Sequence, residues 1–152
     1  MLGFFKGKSK DNIIYSPCKG KVVPITEVSD PTFSEKVLGD GFAVIPSEGK
    51  IYAPTDGEVP LVFDTLHAVG MTSSMGTEVL IHIGLDTVTL GGEPFTAHVA
   101  AGDKVKKGDL LVEVDLDKIK AAGLNSITPV LISNTDTYDK ISLQKEGDVL
   151  FD

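Results

Sequence analysis

Short apolar segments alternate with turn-forming residues along most of this chain. Gly, Pro, Asn, Asp and Ser separate the segments roughly every eight to twelve residues, which is typical of short antiparallel strands joined by turns. From residue 13 to residue 60 no stretch carries a long apolar repeat of 3.6 residues, so the pattern indicates strands rather than helices. Outside the central stretch treated below, the predicted strands cover residues 21–25, 42–45, 51–53, 58–63, 95–100, 110–114, 127–132, 140–143 and 149–151.

A few segments depart from the plain strand pattern. Pro24 has no amide hydrogen to donate, so strand 21–25 is expected at a sheet edge or a bulge. A single helical turn is expected after the break at Asp30 and Pro31. Residues 116–122 are the best helix candidate, with Gly123 as the C-terminal stop. Many short strands with minimal helix predict an all-β fold, a compact antiparallel β-sandwich or closed barrel.

The most informative stretch runs from residue 64 to residue 90, DTLHAVGMTSSMGTEVLIHIGLDTVTL. Its pattern predicts two apolar strands, one with His67 and one with His82, joined by a polar connection over residues 70–76. If the strands pair antiparallel, the two histidines become near neighbours, about 5 Å apart at Cβ when directly opposite. Adjacent imidazoles in an apolar frame suit proton handling, metal binding or phosphoryl transfer. The simpler alternative is that each histidine is a hydrogen-bonded core residue.

A glycine two residues after His82 adds to this pattern. Gly84 allows the backbone to bend or to approach the ring closely. A backbone carbonyl near the ring would accept a hydrogen bond from Nδ1 and leave Nε2 free as a nucleophile or ligand.

Composition narrows the range of functions. The chain has 152 residues, enough for one domain with a core, and no apolar run approaches the roughly 18 residues that span a bilayer. A net charge of −8 argues against nucleic-acid binding, which needs a basic face, and fits contact with basic protein partners. Cys18 is the single cysteine, so an internal disulfide or a Cys-rich metal site is ruled out, and we expect a structural thiol.

The chain is expected to divide into a flexible N-terminal tail, residues 1–12, and a single domain, residues 13–152. The tail has a short apolar cluster and lysines but no continuous apolar run of a signal peptide, which predicts a cytoplasmic location. A weak interfacial anchor is the alternative for the tail. His98 alternates with apolar neighbours and is expected to be structural or on the surface.

The stretch HAVGMTSSMGTEVLIHIGLDTVTLGGEPF resembles the active-site signature of the glucose-type IIA proteins of the bacterial sugar phosphotransferase system. Its specific core is VLIHIGLDTVTL, preceded by an HA pair whose histidine lies fifteen residues before His82. LGDGFAVIP, YAPTDGEV and ITPVLISNTD are similar to further blocks of that family, in the family's order. The resemblance covers about residues 15–136, and after ISNTD the family commonly runs longer before its last strand.

The resemblance implies a β-sandwich and a role for several residues. His82 would be phosphorylated on Nε2, and His67 would steady the phosphoryl oxygens with its own N–H. Thr65, two residues before His67, would orient that ring from the same face of a regular strand. The Gly84 carbonyl would hold the Nδ1–H of His82. Asp86 would either shape the site or bond the turn that follows it.

The resemblance also implies partners and a route for the phosphoryl group. The chain would accept it from the phosphohistidine of HPr and give it to a cysteine of a IIB domain, coupled to sugar uptake, with no cofactor. Contact with the membrane would occur only through the permease. An apolar docking surface around the histidines would comprise Phe33, Val37, Leu38, Phe63, Leu80 and Val88. For each of these the alternative is a core position, most of all for Leu80 and Val88.

Three other functions fit parts of the sequence. A zinc hydrolase would use His67 and His82 as ligands, with Asp64 or Asp86 as a third. A regulatory module would let its phosphorylation state control transporters or metabolic enzymes. The KVKKGD segment has some likeness to the hairpin of lipoyl or biotinyl carriers, although its lysines lack the usual flanking residues.

Overall fold

A computed structural model describes residues 13–135, 141–143 and 149–151 of the protein. Every strand pair in this part of the chain is antiparallel, and helix is confined to short pieces, which confirms the predicted fold class. The strands are β1 (Ile13–Ile14), β2 (Gly20–Pro24), β3 (Asp40–Pro46), β4 (Lys50–Tyr52), β5 (Gly57–Val62), β6 (Ala68–Ser73), β7 (Glu78–His82), β8 (Phe95–Ala97), β9 (Asp103–Val105), β10 (Leu110–Val114), β11 (Thr128–Ile132), β12 (Ile141–Leu143) and β13 (Val149–Phe151). The helical pieces are α1 (Pro31–Ser34), α2 (Leu116–Ala121) and the 3₁₀ turns Ile25–Glu27 and Thr87–Leu90.

The strands form a large sheet and two small ones. The large sheet has the order β2-β3-β11-β7-β6-β5-β9, and the small sheets have the orders β4-β10-β8 and β1-β13-β12. The main core joins one face of the large sheet to the β4-β10-β8 sheet, with residues such as Val69 and Ile81 on one side and Ile51 and Leu111 on the other. This packing of apolar faces is that of a β-sandwich.

A second apolar cluster covers part of the opposite face of the large sheet. The chain between β2 and β3 folds back over β3 and β11 and contributes Ile25, Val28 and Phe33 to this cluster. Side chains of β7 alternate between the two faces, so Val79 and Ile81 enter the main core while Leu80 packs against the second cluster. His82 shares the face of Leu80, which places the candidate site beside the second cluster.

Several predicted elements have different bounds in the structure. Gly70, Thr72 and Ser73, predicted to lie in the β6–β7 connection, belong to β6 instead. The turn is tighter because Ser73 Oγ accepts hydrogen bonds from the amides of Met75 and Thr77. The predicted strand 95–100 ends at Ala97, and the charged connection 102–109 contains β9, which pairs with β5.

Other predictions are confirmed. β2 with its Pro24 forms one edge of the large sheet, and the expected helical turn is α1, which begins at Pro31 with Asp30 as its N-cap. The helix over residues 116–122 is observed as α2, which ends one residue earlier. Its end is closed by Gly123, at φ +76°, and by hydrogen bonds from Gly123 N to Lys120 O and from Leu124 N to Ile119 O.

Parts of the predicted chain lie outside the described residues, namely the tail 1–12 and residue 140 of the predicted strand 140–143. Across the ranges that the structure describes, no helix is both long enough and apolar enough to cross a lipid bilayer.

Candidate active site

His82 is the last residue of β7 and lies just beyond the point where β7 stops pairing with β11. β7 pairs with β11 through Val79, Leu80 and Ile81 only. Continuing that register would set His82 opposite Pro129, which has no amide hydrogen for the ladder. The pairing therefore stops at Ile81, and the chain leaves the sheet directly after the histidine.

His67 lies in the turn between β5 and β6, immediately before the first residue of β6. Thr65 is part of the same turn and not of a regular strand. The prediction that Thr65 and His67 share one face of a strand is therefore wrong. The contact itself is present: Thr65 Oγ1 lies 2.5 Å from His67 Nδ1. Between them Leu66 adopts φ +59°, and this bend turns the threonine hydroxyl toward the ring.

The hairpin of β6 and β7 brings the two histidines together. Ala68 pairs with His82 in the ladder, and one step further the Ile83 amide donates to the His67 carbonyl at 2.7 Å. The two rings are 5.0 Å apart between centroids and nearly perpendicular, at 80°. The sequence-based prediction that the histidines are near neighbours is confirmed.

Each imidazole also packs against a phenylalanine. Phe33 lies 5.0 Å from His82 and Phe63 lies 5.3 Å from His67, measured between ring centroids. The four rings form a row, Phe33–His82–His67–Phe63, in which aromatic neighbours restrict the motion of both imidazoles. Phe33 and His67 are buried, at 4% and 6% exposure, whereas Phe63 at the far end is 36% exposed.

Gly84 determines which nitrogen of His82 is free. His82 Nδ1 lies 2.7 Å from the Gly84 carbonyl oxygen, which can only accept a hydrogen bond, so the proton of the neutral ring belongs on Nδ1. Nε2 then carries the lone pair. Gly84 has φ +82°, a conformation that disfavours any side chain, and this bend directs its carbonyl back at the ring.

The electrostatic surroundings keep both imidazoles neutral near pH 7. Burial lowers the pKa of His67 below 6.5, and the neighbouring His82 lowers it further. Burial also lowers the pKa of His82, while the Gly84 hydrogen bond and the carboxylates of Asp30 and Asp86 oppose that shift. A neutral ring that is surrounded by groups favouring positive charge is suited to act as a nucleophile and to carry the charge it gains.

Asp86 has a contact related to each of the two roles left open by the sequence. It adopts φ +60°, and its backbone carbonyl accepts from the amide and the hydroxyl of Thr89 in the following turn. Its side chain makes no capping hydrogen bond to that turn and instead raises the pKa of His82 by its charge.

Four of the predicted docking residues, here called the apolar rim, are exposed: Val37, Leu38, Phe63 and Val88, at 69%, 42%, 36% and 47%. The core alternative for Val88 is therefore wrong, whereas Leu80 is partly buried against the second cluster.

Phe33 differs from its prediction as a docking residue. The α1 turn, capped by the Asp30 carboxylate, folds it inward beneath His82, where it offers almost no surface to a partner.

Three residues at the site were missed by sequence reasoning. Asp30 was noted only as a helix break, although its carboxylate influences His82. Thr87 is fully buried and its hydroxyl donates to the Ile83 carbonyl, and Asn125 accepts from the Leu85 amide through its backbone carbonyl. Asp30 followed by Pro31 fits an N-cap signal that could have been recognised in the sequence, but no local signal links Asp30 or Asn125 to a histidine far along the chain.

The remaining candidate groups lie elsewhere or lack companions. Among the residues that the structure describes, no three His, Cys, Asp or Glu side chains converge to hold a metal, so neither Asp64 nor Asp86 completes a zinc site. Cys18 is buried, which raises the pKa of its thiol to about 12 and suits a structural role. His98 is on the surface, with Nε2 at 2.7 Å from a Glu113 carboxylate oxygen.

The lowered pKa values predict a fall in stability on the acid side. As the pH drops below 6.5 the unfolded chain binds protons at both histidines before the folded chain does, so the free energy of unfolding decreases. Well above pH 6.5 both states are neutral and the effect disappears. Urea unfolding between pH 8 and pH 5 should show this decrease in the wild type. The decrease in the free energy of unfolding should be smaller in the double variant His67→Gln/His82→Gln. In the surface control His98→Gln it should equal that of the wild type. Equal acid-side slopes in the wild type and the double variant would contradict the assignment.

Comparison with known proteins gives a consistent picture. Residues 12–138 match the family described as phosphoenolpyruvate-dependent sugar phosphotransferase system, EIIA 1. The beta-glucoside-specific EIIBCA component of Bacillus subtilis is 53% identical over 137 residues, which are 90% of this chain and 22% of that protein. The glucose-specific EIIA component of Halalkalibacterium halodurans is 50% identical over 127 residues, which are 84% of this chain and 73% of that protein.

A solved structure agrees. The glucose permease IIA of Mycoplasma capricolum superimposes with a TM-score of 0.83 at 35% identity, over 91% of this chain and 93% of that one. The chain therefore spans nearly the whole of a solved single-domain relative but only about a fifth of the first fused relative.

Proposed function

The chain belongs to the EIIA family of the phosphoenolpyruvate-dependent sugar phosphotransferase system, and we propose that it serves there as a phosphocarrier on His82. Family membership gives a phosphotransfer role in sugar transport. The observation that carries the finer proposal is the hydrogen bond from His82 Nδ1 to the Gly84 carbonyl, which leaves Nε2 as the reactive nitrogen.

The first step is attack on an incoming phosphohistidine, that of HPr. The lone pair of His82 Nε2 forms a bond to phosphorus while the bond between phosphorus and the donor imidazole breaks, so one N–P bond replaces another. The His82 ring gains positive charge because it keeps the proton on Nδ1. The Gly84 carbonyl and the carboxylates of Asp30 and Asp86 stabilise this charge, and each of them favours the protonated ring in the free protein.

His67 supplies a hydrogen-bond donor for the phosphoryl oxygens. The Thr65 hydroxyl can donate or accept, and we assign it as the donor to His67 Nδ1, which places the proton of the neutral ring on Nε2. The 5.0 Å separation of the rings leaves room for a phosphoryl group bound to one to be contacted by the other. Phosphoryl transfer proceeds through a loose transition state, so alignment and charge stabilisation supply most of the catalysis.

The second step passes the group to a cysteine of a IIB domain. The thiolate sulfur attacks phosphorus, the N–P bond to His82 breaks, and an S–P bond forms. Relatives whose names combine EIIA with B and C components in one protein support a IIB partner, because fusion keeps the two domains close together. The sugar is then phosphorylated at the permease, and this chain works in the cytoplasm and reaches the membrane only through that partner.

The apolar rim is the proposed docking surface for both partners. Val37, Leu38 and Val88 expose large apolar side chains, and Phe63 packs against His67. Beside Phe63 a depression of about 400 Å³ opens over β5, β6 and β7, lined by residues that include Leu61 and Leu80. Docking on such a surface excludes water from the phosphohistidine during transfer. The net charge of −8 favours the approach of basic partners.

The proposal is tested by incubating the protein with phosphoenolpyruvate, enzyme I and HPr, followed by intact mass measurement. We expect one acid-labile phosphoryl group per chain, which is lost again when a IIB domain is added. A folded protein that takes up no phosphoryl group under these conditions would refute the phosphocarrier role.

Replacement of Gly84 tests the backbone that carries the key carbonyl. A Cβ at Gly84 would lie 2.5 Å from Thr87 Cγ2 and 3.0 Å from the Asn125 carbonyl oxygen, in addition to the unfavourable φ. We expect Gly84→Ala to lose more than the 1–3 kcal/mol of stability that a strained backbone costs, and to slow phosphoryl uptake. Gly91 is the matched control, because it has φ +61° and no atom within 4 Å of its Cβ position. Equal losses in Gly84→Ala and Gly91→Ala, measured by urea unfolding, would contradict the close packing around Gly84.

A further inference from the structure

Thr87 is the residue at this site that the mechanism above does not use. Its side chain is fully buried in the 3₁₀ turn that follows His82, and its hydroxyl donates to the Ile83 carbonyl at 2.5 Å. Its methyl group, Cγ2, packs against Gly84 so closely that no Cβ would fit between them. Thr87 thus holds Ile83 by a hydrogen bond and Gly84 by contact, on either side of the peptide bond between them.

The same short segment is fixed from two further directions. The Ile83 amide donates to the His67 carbonyl at 2.7 Å, and the Leu85 amide donates to the Asn125 carbonyl at 2.9 Å. The Asn125 carbonyl also lies 3.0 Å from the Cβ position of Gly84, on the backbone that Thr87 touches. Residues 83–85 are therefore held by the turn at His67, by the loop at Asn125 and by Thr87. The Gly84 carbonyl lies between these contacts and faces His82.

We propose that Thr87 is a positioning residue, which fixes the Gly84 carbonyl against His82 Nδ1 and so keeps Nε2 of His82 unprotonated. Its importance for transfer rests on the proposed phosphocarrier role, whereas its effect on the proton of His82 does not. The neutral imidazole has two tautomers, and a group that holds an acceptor at Nδ1 selects the tautomer whose Nε2 can attack phosphorus. Outer groups of this kind typically change activity by about 10- to 100-fold when removed.

The test measures the tautomer directly, in nitrogen-15-labelled protein, by long-range proton–nitrogen correlation spectra at a pH where the ring is neutral. We expect His82 to hold its proton on Nδ1 in the wild type and in Thr87→Ser, which keeps the hydroxyl. Thr87→Val and Thr87→Ala, which lose the hydroxyl bond to Ile83, should populate the Nε2–H tautomer. Thr87→Ala adds no volume and serves as the second variant should valine disturb folding.

Thr89 provides the matched control in the same turn. Its hydroxyl donates to the Asp86 carbonyl at 2.7 Å, but Thr89 is exposed and supplies none of the three atoms nearest to the Cβ position of Gly84. Thr89→Ala should leave the tautomer of His82 unchanged. A tautomer in Thr87→Val and Thr87→Ala that equals that of the wild type, or an equal change in Thr89→Ala, would overturn the proposal.

Phosphoryl uptake from HPr gives the second readout, and we expect it to slow by about 10- to 100-fold in Thr87→Ala and to recover in Thr87→Ser. If the wild type takes up no phosphoryl group, the phosphocarrier role fails while the tautomer measurement still decides the role of Thr87. A normal uptake rate in a Thr87→Ala protein that has changed its tautomer would overturn the functional half of the inference.

Discussion

Replacing His82 with alanine is expected to abolish phosphoryl uptake completely. The imidazole Nε2 is the atom that would bond to phosphorus, and alanine has no group to take its place. The measurement is the intact mass after incubation with phosphoenolpyruvate, enzyme I and HPr. One half of each sample is kept at neutral pH and the other half is treated with acid, which removes an acid-labile phosphoryl group.

His98→Ala is the matched control for this experiment. His98 is a surface histidine paired with Glu113, away from the row of four rings, so its replacement should leave one acid-labile phosphoryl group per chain. Uptake that persists in His82→Ala, or that disappears in His98→Ala while the fold is kept, would show that the acceptor has been misassigned.

Replacing His67 with alanine should separate uptake from delivery. His82 keeps its nucleophilic nitrogen, so the variant should still become phosphorylated, but transfer to a IIB cysteine should slow by about 10²–10³-fold, the usual effect of removing one donor that stabilises transition-state charge. Rapid-quench measurement of phosphoryl loss after mixing with a IIB domain gives the rate.

Thr65→Val is the graded companion of this variant. It keeps the His67 ring but removes the hydroxyl at Nδ1, so its transfer rate should fall between those of the wild type and His67→Ala. Delivery at the wild-type rate by His67→Ala would refute the assigned role of that histidine.

The approach of the two histidines could be predicted from the sequence. His67 and His82 lie on neighbouring segments of one hairpin, so their approach depends only on a turn that Ser73 and Gly76 make recognisable. The edge position of β2 and the end of α2 were predicted for the same reason, since proline and glycine act within a few residues.

The rest of the site depends on pairings between distant parts of the chain. Asp30 and Phe33 reach His82 only because the chain between β2 and β3 folds over the outer face of the large sheet, and no periodicity within that chain encodes the arrangement. The burial of Phe33 follows from this fold. The family resemblance had placed Phe33 in the docking surface, and no local signal indicated that it would be buried. Asn125 meets the segment after β7 through its backbone carbonyl, a group that every residue possesses and that carries no sequence signal.

The bounds of two strands, β6 and β9, were predicted wrongly for a related reason. Ser73 and Thr72 are common in turns, yet they continue β6 because β5 pairs with both of them and β7 pairs with Thr72. The charged residues of β9 likewise form a strand because β5 offers an unpaired edge. Tertiary pairing overrides local preference in both places.

The measurement that tests the central claim most directly is the location of the phosphoryl group in the phosphorylated protein, by phosphorus–nitrogen coupling in nitrogen-15-labelled samples. The account predicts a single phosphoryl group bonded to Nε2 of His82, with the proton of that ring on Nδ1 and the His67 ring unmodified. A phosphoryl group on Nδ1 of His82, or on either nitrogen of His67, would contradict it, because the Gly84 carbonyl would then not be selecting the reactive nitrogen.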